Sequence, residues 1–219
     1  MNKRNKKKIF TVMVLLFILM LTSCIGISMD ITIYKDGSAR VSVEYRVSGM
    51  AETIGRLDGN ENSPIIPTGR EDFERTAARI TGMKIVSFST REKNRDSYTN
   101  VILDFENPQA LLRFLDPNGG TASLTDNSFN LIFNKPASAE INKDLLDLMQ
   151  RYSDGYNFEF NFTSDGYNCD MVITDGTGKQ IGLPGFAKAS LFGKKVSLSM
   201  PVVPLYNYRE GLGVSIIWQ

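Results

Sequence analysis

The sequence predicts an α+β domain in which an antiparallel β-sheet, built from hairpins, carries about three short helices on one face. Two observations support this fold class. Segments with alternating apolar and polar residues come in pairs around turns, and segments with helical periodicity follow these pairs along the chain. From Tyr156 onward only strand patterns occur, which predicts a strand-rich C-terminal third. A single domain is expected over residues 29–219.

The first predicted hairpin uses residues 29–34 and 41–47, which alternate apolar and polar side chains on either side of the turn 35–38. One face of this hairpin is therefore expected to be buried. The stretch from Gly49 to Gly69 is irregular and contains prolines and an Asp-Gly pair, which predicts a long surface loop.

Two short helices are predicted in the middle of the chain. Thr68 and Glu71 form a capping box, and apolar residues then recur at helical spacing until Gly82. Asn107-Pro108 has the pattern of a helix start, and Asp116-Pro117 has the pattern of its end.

Strand patterns flank these helices, and one longer helix follows them. Further hairpins are expected from these segments: residues 85–90 with 98–105 around the charged turn 91–96, and residues 122–125 with 129–133 around Asp126-Asn127. From Ser138 to Gly155 apolar residues recur at helical spacing, which predicts the clearest helix of the chain.

The first 23 residues have the build of a secretion signal. A basic stretch over residues 2–8 precedes an apolar run over residues 9–21 that contains no charge. A membrane-spanning helix is the alternative, but it needs about 20 apolar residues, and this run ends at Thr22. Residues 21–24, Leu-Thr-Ser-Cys, resemble the lipobox of bacterial lipoproteins, in which the cysteine is diacylated on sulfur before the signal is removed.

The lipobox resemblance implies a lipoprotein signal peptide over residues 1–23, lipidation of Cys24, and a lipidated tether over residues 24–28. Two or three acyl chains such as palmitate hold a protein firmly, because each buried methylene contributes ~0.8 kcal/mol. The mature chain is therefore expected to be lipid-anchored at the cell membrane or the outer membrane, with its domain facing the periplasm or the exterior.

Composition argues against several classes of function. The chain has no histidine, which removes Ser-His-Asp and Cys-His catalysis, histidine zinc sites and haem ligation. Without the five basic residues of the leader, 20 basic residues stand against 24 acidic ones, a net charge of −4. A mildly acidic domain matches nucleic acid poorly. We therefore predict no catalytic residue, no cofactor and no metal site.

Cys169 is the second of the two cysteines. If Cys24 carries lipid on its sulfur, no intramolecular disulfide can form. A lone cysteine most often packs as a small apolar side chain, which is the prediction for Cys169. A reactive or intermolecular thiol is the alternative.

Acidic residues recur at predicted turns in the C-terminal half. Residues 153–157, Ser-Asp-Gly-Tyr-Asn, recur unchanged as residues 164–168. A calcium loop of the EF-hand kind needs alternating oxygen ligands and a distal glutamate, so tight turns are predicted instead. A glycosidase that uses carboxylates alone is a further alternative, and its candidate acids are Glu159, Asp165, Asp170 and Asp175. Acids in such positions are usually solvated.

The two ends of the mature chain resemble the LppM-type bacterial lipoprotein domain. The resemblance rests on residues 29–38, on residues 195–201 with their final Met-Pro, and on the closing strand 214–218 with its tryptophan. It does not cover the middle of the chain. The resemblance implies an α+β envelope domain with an affinity for lipids or glycolipids and without catalytic residues. Family members usually continue past the tryptophan into a C-terminal transmembrane helix. This sequence stops at Gln219, so anchorage by lipid alone is expected.

Two functions follow as hypotheses. The first is a non-catalytic module that binds a lipid or another apolar envelope ligand, which the apolar strand residues Phe158, Phe160 and Phe162 suggest, unless they only fill the core. The alternative is a structural or protein-protein interaction module at the cell envelope or surface, in which sheet edges and the loop from Gly49 to Gly69 meet an envelope protein. Residues 200–206 would then form an exposed contact segment, although their prolines fit a buried corner between strands better.

Overall fold

The computed structural model of this chain describes residues 25–48, 69–134 and 155–219. The strands in these ranges are β1 (Ile25–Ile33), β2 (Ala39–Ser48), β3 (Met83–Lys93), β4 (Asp96–Phe105), β5 (Ala122–Leu124), β6 (Ser128–Asn134), β7 (Asn157–Ser164), β8 (Cys169–Thr174), β9 (Lys188–Phe192), β10 (Lys195–Pro201) and β11 (Leu212–Trp218). The helices are α1 (Arg70–Arg79), α2 (Pro108–Leu115) and the one-turn α3 (Val202–Tyr206). The described part of the chain is thus mainly β-sheet with few short helices, as the sequence predicts.

Several predictions fall outside these ranges. The leader with Cys24, the loop over residues 49–68 and the helix predicted from Ser138 are not among the described residues. None of the helices described in the three ranges is long and apolar enough to cross a membrane.

Seven strands form the larger sheet, in the order β3-β4-β2-β1-β7-β10-β9, and four form a second sheet, in the order β5-β6-β11-β8. Neighbouring strands are antiparallel except β1 and β7, which run parallel, with Ile31 opposite Phe162. Parallel neighbours need a long crossover connection, and residues 34–156 provide it. The larger sheet is therefore mixed, whereas the sequence predicts an antiparallel one.

Strand β1 begins earlier than the sequence predicts. Ile25 already pairs with Val47 of β2, and the register continues without interruption to Ile33 opposite Ala39. Residues 25–28 therefore belong to the sheet, whereas the sequence predicts a lipidated tether over residues 24–28. Ile25 and Ile27 continue the alternation of residues 29–33 toward the N-terminus, with Gly26 and Ser28 at the intervening positions.

The two faces of the larger sheet differ because successive side chains of a strand point to opposite sides. The central strands direct their apolar residues to one face, where Val41, Val43, Val101 and Leu103 have no exposed surface. The other face carries small polar residues and surface ion pairs, such as Arg40 with Asp104 at 2.7 Å. Among the described residues, the short helices and the second sheet pack on the apolar face.

Helices α1 and α2 cover one part of the apolar face. Phe73 of α1 is 1% exposed and packs between Tyr45 and Phe88, with ring centroids 6.4 and 6.1 Å away. Phe114 of α2 packs on Phe105 at 5.4 Å. Both helices are short, and their burial against the sheet supplies stability that helices of this length lack in isolation.

The helix ends agree with the sequence in one case and differ in the other. Asn107 caps α2, since its side-chain oxygen accepts a hydrogen bond from the backbone N–H of Ala110 at 2.9 Å, and Asp116 stands at the C-cap. Helix α1 starts at Arg70 with Gly69 at its N-cap, and no side chain caps it. The predicted capping box therefore does not mark this start, and Thr68 lies outside the described residues.

The second sheet covers the remaining apolar face. Phe129 of β6 stacks on Phe162 and Phe160 of β7, with centroids 5.4 and 6.4 Å apart. Phe133 meets Phe158 edge-on at 5.1 Å, and Trp218 stacks on Phe162 at 5.6 Å. The three β7 phenylalanines that suggested an apolar ligand site are thus part of the core between two sheets.

Two further sequence hypotheses concern the C-terminal third. Cys169 is 5% exposed, its Sγ donates to the carbonyl of Lys194 at 3.4 Å, and burial raises the pKa of its thiol. It packs as an apolar side chain, as predicted. Strand β10 ends at Pro201 and α3 follows it; Met200 of β10 is buried, as are Val203 and Leu205 of α3. This segment is a buried corner and not an exposed contact segment.

Candidate functional site

A cleft of about 450 Å³ opens where β1 and β7 end side by side. The parallel pairing places Ile33 opposite Ser164, so the turns that follow these two strands lie next to each other. The N-terminus of α2, the β5–β6 turn and the end of β11 complete the walls. The polar and aromatic side chains of the lining are Tyr34, Lys35, Asp36, Gln109, Thr125, Asp126, Ser164, Asp165, Tyr167 and Trp218.

The β1–β2 turn forms the first wall and is held by Asp36. Its carboxylate accepts hydrogen bonds from the backbone N–H and the hydroxyl of Ser38, at 2.9 and 2.6 Å. The hydroxyl and the N–H of Ser38 lower the pKa of Asp36, and Gly37 has the positive φ of 82° that the turn needs. The turn is therefore fixed, and it presents Tyr34 and Lys35 to the cleft.

The β7–β8 turn, residues 164–168, forms the second wall. The backbone N–H of Asp165 donates to the carbonyl of Ile33 at 2.8 Å, which joins this turn to the end of β1. Gly166 has a φ of 98°, and a side chain there would collide with Lys35. Lys35 therefore lies across Gly166, with its Nζ 5.9 Å from the centre of the Tyr167 ring.

The β7–β8 turn is also the second copy of the repeated pentapeptide. A turn between two strands supports the turn interpretation over a calcium loop. No group of three or more cysteine, aspartate or glutamate side chains within residues 25–48, 69–134 and 155–219 is placed to hold a metal ion. The first copy, residues 153–157, is described only from Gly155 onward.

The third wall combines the β5–β6 turn with the end of β11. The Thr125 and Ser128 hydroxyls lie 2.7 Å apart, and Thr125 Oγ1 accepts the backbone N–H of Ser128 at 3.1 Å. The backbone N–H of Trp218 donates to the carbonyl of Asn127 at 3.0 Å. These bonds fix Asp126 at the rim and the largely buried Trp218 ring at the base of the cleft.

Several lining side chains are available to a ligand. Among the described residues, none forms a hydrogen bond or an ion pair with the side chains of Gln109, Asp126 or Asp165. Tyr167 is 42% exposed, so much of its ring surface is accessible. Together these groups offer amide donors and acceptors, carboxylate acceptors and an aromatic surface within one small cleft.

Charge narrows the class of ligand further. One lysine stands against three aspartates in the lining, so the cleft carries a net negative charge. Like charges brought together across an interface cost free energy. The cleft therefore suits uncharged or cationic ligands better than phosphates or carboxylates.

The four acids singled out from the sequence do not come together. Asp165 lies in the cleft, whereas Glu159 lies on the open polar face of the larger sheet and Asp170 lies in β8. Asp175 is engaged in its own turn, where its carboxylate accepts from the Thr177 hydroxyl at 2.6 Å, and the Thr177 hydroxyl lowers its pKa.

Local patterns in the sequence place most of the cleft residues in turns or strands, but they do not indicate that these residues are neighbours in space. Asp126 and Asp165 appear in the sequence only as turn acids, and Trp218 only as the last residue of an apolar strand. Gln109 gave no signal at all. An aromatic residue directly after an Asp-Gly turn, as in Tyr167, is the one local cue that could have pointed to this site.

Comparisons with known proteins add little to this description. No protein-family model matches the chain, and no curated protein matches it. A solved structure from Parabacteroides distasonis, named a "putative protease", matches with a TM-score of 0.33 and 12% sequence identity. The match covers 88% of this chain and 40% of that one. Similarity at this level supports neither a shared fold nor a shared activity.

Proposed function

We propose that this chain is an envelope lipoprotein, anchored by lipid on Cys24, whose single α+β domain is a non-catalytic binding module. Its cleft binds a hydroxyl-rich ligand that is uncharged or cationic, such as the glycan part of an envelope glycolipid or polysaccharide. One observation carries the proposal: Gln109, Asp126 and Asp165 converge on a cleft beside the accessible ring of Tyr167, and none has a partner among the described residues.

A sugar matches both kinds of group in this cleft. Its hydroxyls can donate to the carboxylates of Asp126 and Asp165 and exchange hydrogen bonds with the Gln109 amide. Its C–H faces can pack on an aromatic ring, whose π surface is negative. A volume of about 450 Å³ is within the usual range for small-molecule sites.

An acyl chain is a less suitable ligand than a glycan. Phe160 and Phe162 have no exposed surface, so they cannot line a groove. The described cleft contains four charged side chains, and burying a charge against hydrocarbon is costly. We therefore favour the polar part of a glycolipid over its lipid part.

The alternative of a protein-protein interaction module has weaker support. The larger sheet ends in two edge strands, β3 and β9, which could pair with another chain. Both edges carry exposed charged residues, including Arg91, Lys93 and Lys188, and such residues typically protect an edge against pairing. The loop over residues 49–68, the other candidate contact, lies outside the described residues.

The anchor itself is tested by replacing Cys24. Metabolic labelling with a palmitate analogue should mark the wild-type chain in the membrane fraction, and Cys24→Ser should abolish the label. A labelled Cys24→Ser variant would rule out lipidation at this residue.

The cleft is tested by titrating the purified mature chain with neutral saccharides and amino sugars, followed by NMR or calorimetry. Tyr167→Ala is expected to weaken binding about tenfold, since a contact worth ~1.4 kcal/mol changes affinity by that factor. Leu183→Ala is the matched control, because Leu183 is 43% exposed, like Tyr167 at 42%, and does not line the cleft.

Two results would contradict the proposed ligand class. One is saccharide binding that Tyr167→Ala leaves unchanged. The other is native mass spectrometry in which the chain, offered an envelope lipid extract, retains a phospholipid and ignores every saccharide.

A further inference from the structure

The turn between β9 and β10 displays an exposed aromatic residue. Phe192 is 89% exposed, more than any other large apolar side chain in the described ranges, and its neighbour Leu191 is 43% exposed. Phe192 pairs with Lys195, and Gly193 between them has a φ of 57°. This is the position where a two-residue hairpin turn requires glycine.

Lys194 lies in this turn and Lys195 pairs with Phe192, whereas Lys188 lies at the other end of β9, opposite Ser199. Lys188, Lys194 and Lys195 are all exposed, and none of them forms an ion pair with a described residue. We call Leu191, Phe192, Lys194 and Lys195 the basic aromatic tip. Its apolar and cationic groups are both available to a partner.

The backbone of the tip is held in place by β7 and β8. The Gly193 carbonyl accepts the backbone N–H of Cys169 at 2.9 Å, and the Lys194 carbonyl accepts that of Ser164 at 3.2 Å. The exposure of Phe192 is therefore built into the sheet and does not arise from a loosely attached loop.

We propose that the basic aromatic tip docks on a phospholipid bilayer that contains anionic headgroups. Phe192 enters the boundary between headgroups and acyl chains, where proteins that bind the membrane surface bury Phe, Trp and Leu side chains. Lys194 and Lys195 contact the headgroups beside it, since lysines near a surface are attracted to anionic lipids. Their long stems let them follow the Phe192 ring while the ammonium groups stay at the headgroup level.

A bilayer suits this surface better than a protein partner does. Lysine is depleted in protein interfaces, yet Lys195 pairs with Phe192 and Lys194 lies in the same turn. A stable protein interface also buries about 1,200 Å² or more. The neighbours of Phe192 on its own face of β9 are Ser190 and Lys188, so no apolar patch of that size extends from the tip. A single aromatic residue with flanking lysines is enough for an interfacial contact.

The register relates the tip to the start of the domain. Lys195 pairs with Thr163 near the end of β7, and β7 runs parallel to β1, so the tip and Ile25 lie at opposite ends of the strands. Nine residues of β1 span about 30 Å. If one bilayer contacts both the lipid on Cys24 and the tip, the strands lie roughly parallel to its surface. The β9 edge of the sheet then faces the bilayer. This inference rests on the tip and not on the ligand of the cleft.

The test uses the full chain reconstituted in vesicles of phosphatidylcholine with phosphatidylglycerol. An environment-sensitive NBD fluorophore is attached to Ser190→Cys, beside Phe192, and to Val86→Cys as the matched control. Val86 is 50% exposed on the opposite edge strand. Cys169 is buried, and labelling of the chain without an added cysteine gives the background.

Docking predicts that the reporter at position 190 brightens, shifts to the blue and is quenched by nitroxide-bearing lipids, while the reporter at position 86 keeps the spectrum that it has in water. Phe192→Ser should remove the response at 190, and high salt or vesicles of phosphatidylcholine alone should weaken it. Phe192→Ser leaves the fold intact because the side chain is exposed, which circular dichroism checks.

A reporter at position 190 that keeps its spectrum in water on all vesicles would overturn the proposal. So would a response that Phe192→Ser leaves unchanged. Shielding of the reporter that needs envelope proteins would assign the tip to a protein partner and overturn it as well. Failure of the tip proposal and failure of the cleft proposal are distinguishable. Phe192→Ser should leave saccharide binding unchanged, and Tyr167→Ala should leave the response of the reporter at position 190 unchanged.

Discussion

Replacing Phe129 by alanine should cost more stability than any surface change, because its ring joins the two sheets. Phe129 has no exposed surface, and it stacks on Phe162 and Phe160 with centroids 5.4 and 6.4 Å away. Core Phe→Ala substitutions cost about 3–5 kcal/mol, and stacked pairs contribute ~0.5–1.5 kcal/mol beyond area burial. With two stacked partners, we expect a loss of about 4 kcal/mol, a large part of the ~5–15 kcal/mol that stabilises a typical domain.

Urea unfolding of the mature chain measures this loss through the fluorescence of Trp218, whose indole stacks on Phe162 at 5.6 Å. Phe192→Ala is the matched control. It removes the same ring from a position that is 89% exposed, where surface substitutions change the free energy of unfolding by about 0.5 kcal/mol or less. The pair of variants separates burial from the loss of a phenyl group.

A loss below about 1 kcal/mol for Phe129→Ala, or a loss equal to that of the control, would refute the packing of the second sheet on the larger one. If Phe129→Ala leaves the free energy of unfolding unchanged but weakens the binding of an apolar ligand, the Phe129, Phe160 and Phe162 rings line a ligand site and do not form the core.

Three smaller perturbations test local features of the fold. Asn107→Ala removes the N-cap of α2 and should lower the free energy of unfolding by about 1 kcal/mol, and an unchanged urea midpoint would speak against the cap. The backbone N–H groups that bind Asp116 lower its pKa from 3.8 to about 2. Its carboxylate therefore stabilises the fold above pH 3.8, and this effect is lost as the pH falls toward 2. Thermal melts across this interval should show a smaller drop in melting temperature for Asp116→Asn than for the wild type. Gly211→Ala should destabilise the fold strongly, because at its φ of 73° the added Cβ would lie 2.7 Å from the Cα of Gly176. Gly119→Ala is the control: its φ is 76°, but the space around it is open, so it costs backbone strain alone. Equal melting temperatures for the two variants would contradict the close contact at Gly211.

The cleft depends on contacts that no local pattern contains. Asp165 and Tyr34 belong to turns that are distant in sequence, and they meet because β1 and β7 pair in parallel, with Ile33 opposite Ser164. The sequence could predict each turn from its Asp-Gly pair, since those residues suit tight turns. It could not predict which turns become neighbours.

The sequence by itself determined the features that depend on short-range physics. Alternation with a period of two defined the strands and their buried faces, and Asn107 and Pro108 marked the start of α2, because strand periodicity and helix capping act over a few residues. Only the tertiary structure decided that the larger sheet is mixed, that a second sheet packs on it, and that Phe192 stays exposed while Phe162 is buried. Those outcomes depend on which strands become neighbours, and pairing between distant segments is selected by the packing of the whole core rather than by the residues of any one strand.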